Sequence, residues 1–367
     1  MATDPRIDPS TTSSGYEAMA PKWSKIRTLL AGTDALRAKR QTYLPQFPKE
    51  LDKYYEHRLK NSTLLNMAEI TLGSWVGRPF SDPVQLGEDV PEPIALMMED
   101  IDSRGNGLSV FLRDWFKEGL AFAHAHVLID SPFTAEDTEE RSRADDLRDG
   151  ARPFWSFLSP EDVIFMASTY VGSQEILTHV RISETETYMD GFAEESRCRI
   201  RVFNRVLEGS DEELGVYVSV WEKQKTKRKR EEWVEVEPPR KLGIDEIPLV
   251  TFYADRTGLQ TGKPPLEDLV DLNLAHWRSS SDHTNVLTVA RFPILAASGV
   301  SPEEANNIVL APRKVLASRN ENGKFYYLEH SGAAVKVGAD DLASLEEKMA
   351  YYGADFLRKR PGNLTAT

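Results

Sequence analysis

The chain has 367 residues, 40% of them hydrophobic and 9% aromatic, enough for two or three units with real cores. A single cysteine, Cys198, excludes intramolecular disulfides and fits a reducing compartment, and no run of about 18 apolar residues offers a membrane span. Against 45 basic side chains stand 58 acidic ones, a net charge of −13, which argues against a protein that grips nucleic acid by its phosphates.

Residues 1–21 open as MATDPRIDPSTTSSGYEAM, polar and rich in Pro, Ser and Thr. They read as a flexible N-terminal arm without the apolar stretch of a signal peptide. From 22 to 76 the apolar residues recur at helical spacing, with Gly32 as a break and Tyr54, Leu59, Leu72 and Trp75 sharing one side. Pro79, Pro83, Pro91 and Pro93 mark an extended connector. Leu108, Phe111, Leu112, Trp115, Gly119 and Leu120 then form an amphipathic helix, followed by a buried strand, AHVLID, at 125–130. The acidic block 134–149 reads as a solvated loop or short surface helix.

From 152 to 254 the period changes to two. WSFL, DVIFM, EILTHVRI, CRIRVFNRVL, GVYVSVWE, EEWVEVE and IPLVTFYA are short strands of a mostly antiparallel unit. The basic run KQKTKRKR (223–230) joins two of them, and is expected to be a charged hairpin tip before a phosphate-contacting patch.

Pro264 and Pro265 start a long helix, with Glu267 and Asp268 opposing the positive end of its dipole. It can run to Arg291, stopped by Pro293, and would span roughly 40 Å at about 1.5 Å per residue. Inside it lies HWRSSSDHTN (276–285), polar and mostly small, where a packed core would want Leu and Ile. Small side chains permit close helix approach, and polar ones tolerate water on the other side. Such a helix suits a ring of identical neighbours around a wet opening, or else a solvated surface. Residues 293–333 read as a small mixed unit, with a helix start at Ser301-Pro302-Glu303-Glu304 and short strands IVLA, KVLAS and FYYLE. In 340–360, Leu342, Leu345, Met349, Tyr352 and Phe356 follow a narrow coiled-coil seam.

No chemistry-bearing motif assembles an active site. His124 and His126 sit at alternate positions of a strand with Asp130 four residues on, a pattern that could share a metal in a hydrolase; an ordinary helix-to-strand junction explains it more simply. Asp100-Ile-Asp102-Ser-Arg-Gly105 begins like a calcium loop, but Phe111 stands where a bidentate Glu is required. Ser281-Asp282-His283 holds triad residue types, yet neighbours on a helix point apart.

PPLEDLVDLNLAHWRSSSDHTNVLTVARFPILAASG, with RPFWSFLSPEDVI upstream and GNLTAT at the end, resembles tailed-bacteriophage portal proteins of the DUF4055 type, from about Ala20 to Thr367. The resemblance implies an α+β, portal-like fold in which residues 22–260 form a helical and β wing region. Residues 264–291 would be the first stem helix, 292–333 a clip-like α/β insert, 336–360 an antiparallel second stem helix, and 361–367 the start of a channel loop. Family chains continue past that point, so the chain to Thr367 reads as C-terminally shortened.

It implies a non-enzymatic homo-oligomer without cofactors, a ring of typically twelve copies in the virion. Such a ring conducts double-stranded DNA at a capsid vertex, within capsid and scaffold, and docks the terminase large subunit and a head–tail adaptor. On that reading Trp277, Arg278, Ser280, Ser281, Thr284, Leu345, Met349 and Tyr352 are expected at contacts between subunits. Lys348, Arg358, Lys359 and Arg360 are expected to touch DNA briefly in an otherwise acidic channel. The competing readings are a head-assembly or adaptor protein without a channel, and a metal-dependent hydrolase built on His124, His126 and Asp130.

Overall fold

A computed structural model of the chain describes residues 7–131, 151–207, 213–225, 231–290, 294–299, 322–328 and 332–354. The fold is α+β, with antiparallel sheets. The chain divides into two compact units, one of residues 1–27 and 69–268, the other of residues 28–68 and 269–367.

In the first unit, helix α1 (Ser14–Leu30) begins well inside the expected arm. The Ser13 hydroxyl accepts the backbone N–H of Tyr16 at 3.0 Å, satisfying one of the free donors of the first turn. Met19, Trp23 and Ile26 then recur on one face and are buried, so the helical stripe crosses the boundary at 21/22. The expectation of a flexible arm is therefore corrected over residues 14–21: a polar, Pro-bearing composition hid a capped helix whose apolar spacing begins at Met19.

The expected connector also holds a short helix, α5 (Glu92–Met97), directly after Pro91. Helix α6 (Leu108–Phe122) carries the predicted stripe, and Gly119 faces the Phe252 ring so closely that a methyl group there would collide with it. Ala123 ends the helix in the left-handed region, φ 79°, and the chain passes straight into β1 (His124–Asp130).

β1 is the centre of a three-stranded sheet, β2 (Phe154–Leu158), β1, β8 (Leu249–Tyr253), with His126 opposite both Leu158 and Thr251. The remaining strands form a five-stranded meander of β3 (Val163–Val171), β4 (Gln174–Asp190), β5 (Ala193–Val206), β6 (Gly215–Lys225) and β7 (Glu231–Lys241). Alternation divides its two faces. Val163, Val180, Ile182 and Phe203 pack on one side, and Ile164, Ile200 and Val202 on the other, beneath Tyr16, Trp221 and Trp233.

The second unit contains α2 (Thr33–Ala38), reached through Gly32 at φ 91°, and α3 (Asp52–Asn61). Helix α4 (Met67–Gly77) starts just before the unit boundary. The unit also holds most of α7 (Glu267–Ala290), a hairpin of β9 (Ile294–Ser298) with β10 (Lys324–Leu328), and α8 (Gly332–Met349), which changes into a π turn over Ala350–Ala354. β10 falls on FYYLE, whereas β9 is a strand the periodicity does not pick out. Pro264 and Pro265 precede α7; the Glu267 N–H donates to the Pro264 carbonyl at 3.0 Å. Ser301–Glu304, IVLA, KVLAS, the acidic block, residues 226–230 of the basic run, Phe356 and residues 361–367 lie outside the described residues.

Candidate functional site

The segment 276–285 sits in the middle of α7, and its polar groups have addresses within the second unit. His276 Nε2 meets Glu346 Oε1 at 3.3 Å, Ser279 Oγ donates to Asp341 Oδ2 at 2.5 Å, and the His283 ring faces Gly338. As the α7 number rises from 276 to 283 its partner on α8 falls from 346 to 338, so the two helices run antiparallel. Gly338 is the close-approach residue: a methyl group there would strike the His283 ring.

The other flank of α7 is tied to residues 43–68. Asn273, fully buried, donates to the Leu65 carbonyl (2.7 Å) and accepts the Ala68 N–H (3.1 Å), which satisfies backbone groups at the start of α4. Arg278 Nε donates to the Tyr43 carbonyl at 2.7 Å.

Asp282 accepts from Arg58 Nη1 at 3.2 Å, and Arg58 is the hub. Its side chain is 2% exposed. It makes a forked pair with Glu50 (both contacts 3.0 Å), donates to the Pro45 carbonyl (2.7 Å) and lies 4.2 Å over the Phe47 ring. The hydrogen bonds from Arg58 hold the Glu50 carboxyl below the usual carboxylate range, whereas burial raises that of Asp282. Each of these contacts replaces water that the guanidinium loses on burial.

This geometry corrects part of the expected contact surface. Trp277 and Met349 have no exposed surface in the single chain, and Ser281 is 2% exposed. Trp277 continues the buried stripe Leu269, Val270, Leu274 that turns the first half of α7 into its own chain, and Met349 is buried at the end of α8. Three residues expected between subunits are therefore interior ones. Arg278 and Thr284 are exposed, and Ser280, Leu345 and Tyr352 half-buried. Lys348 is exposed on α8, while Arg358, Lys359 and Arg360 lie outside the described residues. Asn273 and Arg58, which organise the polar segment, were not singled out from sequence; an Arg beside Glu50 and Phe47 carries no local signal of burial.

The metal reading does not assemble. His124 and His126 are fully buried on one face of β1, but Asp130 lies about 13 Å further along at about 3.3 Å per residue. It is paired there with Arg201 at 2.5 Å, and Arg201 also reaches Glu184 at 3.0 Å. No group of three potential ligands occurs among the described residues. Two imidazoles without a third ligand fall short of the three or four that a zinc site requires.

Residues 265–367 match the model of a family described as a domain of unknown function, DUF4055. No curated protein matches the chain. The matched span begins at the foot of α7 and includes the β9–β10 hairpin and α8.

Proposed function

We propose that this chain is a ring-forming, non-enzymatic subunit of a phage portal, a conduit for double-stranded DNA at a capsid vertex. The observation that carries the reading is the succession within the family-matched span: helix α7, a small hairpin, then α8 running back antiparallel to α7. Two antiparallel helices flanking a strand pair suit a wall of repeated stems, and the resemblance from PPLEDL to GNLTAT covers the same residues. In this reading the terminase large subunit and a head–tail adaptor dock on the ring, capsid and scaffold surround it, and the virion is its location. No described helix is long and apolar enough to cross a membrane.

The interior placement of Trp277, Ser281 and Met349 moves the proposed subunit contacts outward. They fall on the second half of α7, at Ser280 and Thr284, and on α8, at Leu345 and Tyr352. The net charge of −13 per copy would repel DNA from the channel wall, leaving Lys348 as a described basic residue for transient contact.

Light scattering and electron microscopy test the proposal. The expected result is an annular particle with a mass many times 41.4 kDa, reduced to the monomer by Thr284→Leu with Leu345→Asp while urea stability holds. A monomer at every concentration overturns it. A compact, non-annular oligomer favours the adaptor reading, to which the inward-facing half of α7 lends weight.

A further inference from the structure

His124 and His126 take no part in the assembly surface, and their surroundings are unusual for histidine. The rings are 5.1 Å apart between centroids and nearly perpendicular, on one face of β1. Trp23 of α1 closes over His124 edge-on at 5.5 Å, and Tyr253 of β8 flanks it at 5.6 Å. The Trp23 indole N–H donates to the Phe122 carbonyl at 3.0 Å, two residues before His124. Between them, Ala123 holds its left-handed conformation and accepts the Ala254 N–H at 2.8 Å. A non-glycine residue there stores about 1 kcal/mol or more. Trp23 thus pins α1 onto a tight joint between α6 and β1.

Of the four ring nitrogens, one has a partner: His126 Nδ1 meets Thr251 Oγ1 at 2.8 Å. The charged groups nearby are occupied elsewhere. On α1, Lys22 pairs with Glu267 (2.9 Å), and Arg27 pairs with Glu118 of α6 (2.7 Å) and with Glu161 (2.6 Å). Asp130 on β1 is bound to Arg201, and the Tyr253 hydroxyl donates to the Leu259 carbonyl. No carboxylate bonds to either imidazole, so a proton placed there would be an unpaired buried charge.

We propose that this sealed histidine pair is an acid-sensitive latch, which keeps α1 closed on the α6–β1 joint while both rings are neutral and releases it when they protonate.

The sign follows from burial. Desolvation lowers the His124 pKa to about 4 and that of His126 well below its usual value, with His124 adding repulsion. Once the joint opens, each ring returns to about 6.5. The open state therefore binds more protons, and the closed state loses stability as pH falls from about 6.5 to about 4. Over that window the opening constant should rise about tenfold per pH unit for one ring, and up to about a hundredfold for both. Glu118 runs the other way: burial raises its pKa, so protonation favours the closed state and partly offsets the slope.

Hydrogen exchange on the full chain between pH 7.5 and 4.5, corrected for intrinsic rates, tests the latch. Amides of Met19–Ile26 and Ala125–Leu128 should lose protection together, about tenfold or more per pH unit below 6.5, while Ile200–Phe203 in the five-stranded sheet stay protected. In a His124→Phe, His126→Leu variant the slope should flatten. An unchanged slope in that variant overturns the proposal. If the variant does not fold, the imidazole proton resonances of the parent decide. Silence above about pH 5 with α1 protected supports the latch, and titration near pH 6.5 with α1 still protected overturns it.

Discussion

Two clusters of buried polar side chains, one in each unit, have opposite character. Around α7 in the second unit, Arg58 and Asn273 each satisfy several partners, backbone groups among them, and Asp282 accepts from Arg58. Around β1 in the first unit, His124 and His126 share one hydrogen bond between two rings. The first cluster acts as a scaffold, since removing any member strands a partner. The second is packed chiefly by aromatic shape, and its three unpartnered ring nitrogens weaken the closed state. Burial by itself says nothing of a polar residue's value; the number of partners decides it.

Variants sharpen this contrast, and urea unfolding reads each of them. Arg58→Met should have the largest effect, about 3–5 kcal/mol of lost stability, because Glu50 remains buried as an unpaired carboxylate. A loss under about 1 kcal/mol would show that water reaches Glu50. Asn273→Ala should cost about 1–3 kcal/mol, since the buried Ala68 N–H loses its side-chain partner and the Leu65 carbonyl is left with the Met67 N–H. Thr251→Val should cost about 1 kcal/mol, removing the pair's one hydrogen bond in the first unit. Ser281→Ala should be near neutral, since its buried hydroxyl has no partner to lose. A cost above about 2 kcal/mol there would mean that an ordered water bridges the hydroxyl, and would move Ser281 into the scaffold class.

Much of the fold was legible because periodicity and punctuation are local. Pro264-Pro265 and Pro293 bracket α7, Gly32 separates α1 from α2, and period-two alternation located the seven strands among the described residues between 152 and 254. The start of α1 was missed because its signals, the Ser13 cap and the spacing of Met19, Trp23 and Ile26, sit in a composition that favours disorder. The candidate site was half legible. A polar segment inside a long helix marked α7 as special, but small and polar residues fit a wet interface and a bonded interior equally well.

The chain's own order of residues determines its elements, their approximate ends, the change from helix to strand at 152 and back at 264, and the lack of a recognisable catalytic motif. These depend on neighbours within a few turns. Only the tertiary structure decided that eight strands divide into a three-stranded and a five-stranded sheet, and that Trp277, Ser281 and Met349 face inward. It also decided that Asp130 answers Arg201 and not the histidines. Those outcomes depend on partners 70 to 224 positions away, such as Arg58 for Asp282 and Glu346 for His276. A residue's alphabet and spacing carry no record of which distant group will satisfy it.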